Sequence, residues 1–155
     1  MALRARDVMQ TSVMSVEPGT PLPQVARLFV EEEIHGAPVL DETDRLLGVV
    51  SVTDLIRAVD EEHARPGSSA VYFRDVLEFS GPDWSNAPQD FQDRLGQLVV
   101  GDVMQTGVVT VPEDASVPEI AKLMRANRIH RVIVVRGEAM VGLITALDLV
   151  GLLEA

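Results

Sequence analysis

The chain has 155 residues, 46% of them apolar, with no cysteine, three histidines and a formal net charge of −11. That composition can bury a real core in one domain or two small ones. It excludes disulfides, thiolate metal sites and cysteine nucleophiles, and the charge opposes nonspecific binding to nucleic acid or anionic membrane.

The first residues, Met1-Ala2-Leu3-Arg4-Ala5-Arg6-Asp7, hold no apolar run of signal-peptide length, and no stretch reaches membrane-spanning length. The expectation is a soluble, cytoplasmic protein. His35, His63 and His130 lack the close spacing of a zinc site, so no metal centre is expected.

Asp7-Val8-Met9-Gln10-Thr11 opens the chain and recurs unchanged as Asp102-Val103-Met104-Gln105-Thr106. Val13–Val16 then aligns with Val108–Val111, each a short strand rich in β-branched residues. Leu22, Val25, Ala26 and Phe29 align with Val117, Ile120, Ala121 and Met124, and this spacing predicts one apolar helical stripe per copy. Thr20-Pro21 offers an N-cap followed by proline at the first helical position, and Ser116-Val117-Pro118-Glu119 offers a capping box.

After each helix, Ile34-His35 aligns with Ile129-His130, and strand candidates follow at Ala37–Leu40 and Val132–Val135. The next turn is one residue shorter in the second copy. A last strand then enters Gly48-Val49-Val50-Ser51-Val52-Thr53-Asp54 in the first copy and Gly142-Leu143-Ile144-Thr145-Ala146-Leu147-Asp148 in the second. Each unit reads strand-helix-strand-strand-helix over roughly fifty residues, a period that signals a repeated supersecondary unit. Halves this small must share a core.

Each glycine motif ends in a hydroxyl residue, two spacers and an aspartate at the start of a helix. Unpaired N–H groups there suit an anion, and an aspartate can accept bonds from two neighbouring hydroxyls such as those of a ribose. The same pattern also makes a capping box in which the two side chains satisfy each other's helix end. Either copy alone fits the cap better, and duplication in one context favours a site.

The stretch between the copies, residues 61–99, has no counterpart. It carries turn signals at Arg65–Ser69 and Ser80–Asp83, and it holds five of the six aromatics: Tyr72, Phe73, Phe79, Trp84 and Phe91. These either pin an ordered loop to the core or form a lid or docking segment. The chain shows no nucleophile–base arrangement and no phosphate-cradling glycine loop, and acidic runs such as Glu31–Glu33 read as solvated helix ends. No enzymatic activity is expected.

With the repeat on the page, both halves resemble CBS domains, and the chain resembles a stand-alone tandem pair. The opening Asp-Val-Met-x-Thr, the segment after Ile-His and the closing glycine motif carry the likeness over residues 1–60 and 100–155. The resemblance implies an α/β fold of two pseudo-twofold-related repeats, each β-α-β-β-α, with small mixed sheets packed face to face and two clefts between the halves. It also implies an adenosyl ligand: AMP, ADP, ATP or S-adenosylmethionine.

Carried over residue by residue, Ser51 and Asp54 serve the ribose and phosphate of one cleft, and Thr145 and Asp148 those of the other. A family motif that packs on the purine is matched in full by Val109-Thr110-Val111-Pro112. In the first copy only Val16 and, further on, Pro38 stand for it, because Pro18 comes one residue late. His35, Arg128, His130 and Arg131 are the phosphate candidates, arginine being suited by its forked donors. The alternative for these cations is plain balancing of an acidic surface. The unequal copies predict at most one high-affinity site per chain.

The resulting expectation is a regulatory module that senses an adenosyl ligand and acts on a partner protein. The alternative is a ligand-free scaffold that homodimerises through apolar residues such as Ile56, Val59, Leu152 and Leu153. A nucleic-acid role would rest only on a patch around Arg128 and Arg131.

Overall fold

The computed structural model describes residues 2–59, 69–74 and 93–154. The first copy contains helix α1 (Ala5–Val8), helix α2 (Leu22–Glu31), strands β1 (Gly36–Leu40) and β2 (Leu46–Ser51), and helix α3 (Val52–Val59). A short helix α4 (Ala70–Arg74) belongs to the stretch between copies. The second copy contains α5 (Val100–Val103), β3 (Thr110–Pro112), α6 (Val117–Asn127), β4 (Arg131–Arg136), β5 (Ala139–Thr145) and α7 (Ala146–Gly151). The expected α/β architecture of small sheets and helices is present in both halves. Phe79, Trp84, Phe91, the Ser80–Asp83 turn signal and all of the Arg65–Ser69 signal except Ser69 lie outside the described residues.

In each copy the two central strands pair antiparallel, β1 with β2 and β4 with β5. The registers slip at matching places, between Val39 and Leu40 and between Val134 and Val135. In the second copy β3 adds a parallel strand to β4, which makes the mixed three-stranded sheet β3-β4-β5.

The first copy departs from expectation here. Val13–Val16 does not form a strand, and only Val16 bridges Val39. The reason is Pro38. In the second copy the amide of Ile133 donates to the carbonyl of Val109 at 3.1 Å. Proline in the matching place has no N–H to donate, so that rung of the ladder is missing.

Helix α2 buries its whole predicted stripe, Leu22, Val25, Ala26 and Phe29. Helix α6 buries Ile120 and Met124, but Ala121 faces outward, so its apolar face is narrower than predicted. Ser116 caps α6 as expected, its hydroxyl accepting from the Glu119 amide. Thr20 does not cap α2. Pro21 takes that position, the Leu22 amide goes to the carbonyl of Leu98, and the Thr20 hydroxyl accepts instead from the Glu17 amide.

The halves are interlocked by exchange of their opening segments. Gln10 bridges Leu143 in β5, and Gln105 bridges Val49 in β2, each through a reciprocal pair of backbone hydrogen bonds of 2.8–2.9 Å. Ala5 accordingly lies in the apolar cluster of the second copy, with Ile120, Ile133 and Ile144, while Val100 lies in that of the first, with Leu22, Phe29 and Leu55. This crossing explains the glycines of the repeated motif. A Cβ on Gly48 would collide with the carbonyl of Gln105, and one on Gly142 would meet the Met9 sulfur and the carbonyl of Gln10. Asp7 and Asp102 have a local task, each carboxylate accepting the backbone N–H three residues earlier, at 2.8 and 2.9 Å.

Candidate functional site

The crossing places each glutamine against the aspartate of the other repeat. Gln105 Nε2 donates to Asp54 Oδ1 at 2.9 Å. Gln10 Nε2 lies 3.1 and 3.0 Å from the two carboxylate oxygens of Asp148. The capping boxes are formed as well. Asp54 accepts from the Ser51 amide at 2.8 Å and its hydroxyl at 3.1 Å, and Asp148 accepts from the Thr145 amide at 2.8 Å. The cap does not exhaust a carboxylate, which has about four lone-pair positions. What remains is directed at the opposite repeat.

The two aspartates differ in their surroundings. Ser51 and Asp54 are buried, at 2% and 4% exposure, and Arg57 Nη1 stands 3.6 Å from the Asp54 carboxylate. Burial pushes the Asp54 carboxyl above its ordinary value, with the bonds from Gln105 and Ser51 and the charge of Arg57 pulling the other way. Thr145 and Asp148 are half-buried.

A cavity of about 440 Å³ opens beside the second pair. Its walls include Gln10, Val13, Met14, His35 and Pro38 from the first copy, Arg131 and Leu143 from the second, and Tyr72 from α4. The volume falls within the range of small-ligand sites, about 300–1,000 Å³. Its wall carries two cation candidates, Arg131 and His35, and one acid, Glu33. Asp148 is not in the cavity wall but is hydrogen-bonded to Gln10, which is.

On the other side the insert bonds to the matching places. Ser12, Val13, His35 and Gly36 line the cavity, and their counterparts in the second copy are Gly107, Val108, His130 and Arg131. Ser69, next to α4, donates its hydroxyl to the Gly107 carbonyl, and the Phe73 carbonyl accepts the His130 amide at 2.7 Å. The guanidinium of Arg131 lies 5.0 Å over the Tyr72 ring, and Tyr72 and Phe73 meet edge to face at 5.0 Å. Both rings are buried, and burial pushes the Tyr72 hydroxyl up to about 12 against the pull of Arg131. These two aromatics pin the insert to the core.

The remaining candidates are spread out. Val16 is buried and lines a separate groove beside α2 with Glu17, Arg27 and Asp41. Val109 is half-buried, Val111 buried and Pro112 exposed on β3, away from the cavity wall. Arg128 is exposed at a left-handed helix end, φ 55°, where Glu33 stands in the first copy with φ 54°. The His130 side chain is exposed, and its backbone is engaged by α4. The structure therefore brings His35, Pro38 and Arg131 to one cavity and leaves Arg128 and His130 outside its wall. Gln10, Gln105 and Tyr72 were not among the expected site residues. The signal for the glutamines was their unchanged recurrence in both opening segments.

Among the described residues no His, Asp or Glu grouping suits a metal ion, and no helix is long and apolar enough to cross a membrane. The CBS domain family profile matches residues 5–61 and 100–155. An uncharacterized protein of Methanocaldococcus jannaschii is 28% identical over 148 residues, 94% of this chain and 88% of that one. The chloroplastic CBS domain-containing protein CBSX1 of Arabidopsis thaliana is 31% identical over 133 residues, and the match spans 84% of this chain but only 54% of that relative. In fold, the chain is similar to Arabidopsis CBSX2 solved in complex with AMP, with a TM-score of 0.67, 23% identity and coverage of 98% of this chain and 96% of that one. Two matched segments that exchange their opening residues make one tandem pair, and the chain belongs to the CBS-domain family.

Proposed function

We propose that this chain is a regulatory module that binds one adenosyl ligand in the cavity between its repeats and transmits occupancy to a partner protein. The observation that carries the reading is the inequality of the two clefts. One holds a cavity walled by both repeats, with Asp148 bonded to Gln10 of its wall, and two matching places of the other, Gly107 and His130, are bonded by Ser69 and α4. In this reading Asp148 takes the ribose hydroxyls once Gln10 has moved, Thr145 lies beside them, Met14 and Pro38 flank the base, and Arg131 and His35 face the phosphate. Asp54 and Ser51 hold the interface instead. Of AMP, ADP, ATP and S-adenosylmethionine, AMP is favoured, because a relative of the same fold was solved with it. A module of this kind performs no catalysis, and its output is a change in how the repeats and insert present themselves to the partner.

Calorimetric titration with the four ligands tests this in the unaltered protein, Asp148→Ala and Asp54→Ala. One site per chain, abolished by Asp148→Ala, supports the reading. Loss confined to Asp54→Ala would move the site to the other cleft.

A second reading, a homodimerising scaffold, is favoured by one observation. Helix α7 and the residues after it expose Leu147, Val150, Leu152 and Leu153 at 79, 55, 40 and 83%. Apolar surface gathered in this way suits a partner copy. No ligand binding together with a stable dimer broken by Leu153→Glu would favour the scaffold.

A further inference from the structure

We infer that Gln10 is an internal competitor for the diol position of the Asp148 site, so that its side-chain amide sets how tightly a ribose-bearing ligand binds. The inference rests on the function proposed above and adds to it the residue that controls access to the carboxylate.

A vicinal diol would approach Asp148 with two O–H donors, one for each carboxylate oxygen. Gln10 Nε2 now stands within hydrogen-bond distance of both oxygens, at 3.1 and 3.0 Å, while the Thr145 amide donates to Oδ2 at 2.8 Å. The amide of one glutamine therefore occupies the place the diol would take. It also stands on the correct side, since Gln10 lines the cavity and Asp148 does not.

Only the side chain has to move. The Gln10 backbone is fixed to β5 by reciprocal bonds with Leu143, at 2.8 and 2.9 Å, whereas the residue is exposed and free to change rotamer. The opposite pair shows what a sealed version looks like. Gln105 is held to Val49 in the same way, but its target Asp54 is 4% exposed and has Arg57 beside it. Of the two glutamines, Gln10 alone bonds a carboxylate that is only half-buried.

Gln10→Met keeps the length of the side chain and removes the amide donor; Gln10→Ala serves as a second variant, and thermal unfolding of both should match the unaltered protein. Titrations use AMP and 2′,3′-dideoxy-AMP, which lacks the diol. The expected result is AMP affinity raised about tenfold, the lower end of what a hydrogen bond to a charged group contributes. Dideoxy-AMP affinity should stay unchanged, since that ligand does not contend with Gln10 for Asp148. AMP affinity unchanged or weakened, or both ligands tightened equally, would overturn the inference while the proposed function stood. AMP binding that appears only in the variants supports both. No AMP binding by the unaltered protein or either variant removes the proposed function and the inference with it.

Discussion

The Phe73 carbonyl accepts the His130 amide at 2.7 Å, a bond that ties the insert to the residue preceding β4. In the first copy the matching residue, His35, lines the open cavity. A tandem repeat built twice from nearly the same pattern thus has His35 in a cavity wall on one side and the matching His130 bonded to its own insert on the other. Phe73 is 1% exposed and packs with Ile133, Ile144 and Val49. Phe73→Ala removes a fully buried ring and should cost about 3–5 kcal/mol of stability, read as a lower urea midpoint with an unchanged slope. A loss within 1 kcal/mol would mean that α4 is not anchored in the core.

The glycines of the repeated motif should respond unequally to a methyl group. On Gly48 the new Cβ meets a backbone carbonyl, that of Gln105, which is itself fixed by two hydrogen bonds to Val49. On Gly142 it first meets the flexible Met9 side chain, although the Gln10 carbonyl stands 2.9 Å away. Both substitutions to alanine should destabilise, by about 1–3 kcal/mol as overpacking typically does, with Gly48→Ala the more severe. Denaturant unfolding of the two variants checks the order.

Asp54 gives a pH dependence whose sign follows from its burial. Its folded carboxyl has a pKa above the ordinary aspartate value, and desolvation by burial is the main cause. Between the unfolded and folded values the native state holds the extra proton, so stability rises as pH falls through that window. Above the folded value the carboxylate is charged in both states and the cost of burying it is fully present. The stability of the unaltered protein relative to Asp54→Asn should therefore increase on acidification from neutral pH toward about 4. A difference that stays flat, or shrinks, would show that the hydrogen bonds from Gln105 and Ser51 outweigh burial.

Much of this was legible in the sequence because it was written twice. The recurrence of Asp-Val-Met-Gln-Thr, the shared helical stripe and the glycine motif revealed the repeat, its main helices, its antiparallel strand pair and the two capping aspartates, all of which depend on local pattern. What could not be read was where the opening segments go. Gln10 lies close in sequence to its own repeat but bonds to Asp148, and no periodicity reports an exchange between halves. The insert was opaque for a related reason. Tyr72 and Phe73 announced burial by type, but only packing shows that they face Gly36, Arg131 and His130. The missing strand was legible in principle, since Pro38 stood in the sequence with no N–H to offer.

Pro38 also gives the sharpest test of that account of the first strand. In the second copy Ile133 faces Thr110 in the parallel ladder, and β3 forms. In the first copy Pro38 pairs with Val49 on one side, which leaves the other side to the single bridge of Val16 with Val39. Pro38→Ile restores an amide at position 38, pointed at the carbonyl of Met14 as the Ile133 amide points at that of Val109. The position is buried, so the added volume opposes the new bond, and the net change in stability should stay within about 1.5 kcal/mol. Hydrogen exchange separates the two contributions. The amide at position 38 should be protected in the variant at a level comparable to the Ile133 amide. An amide at 38 that exchanges freely in a folded variant would mean that the Met14 segment is held away by its other contacts, and that the proline is a consequence of the missing strand rather than its cause.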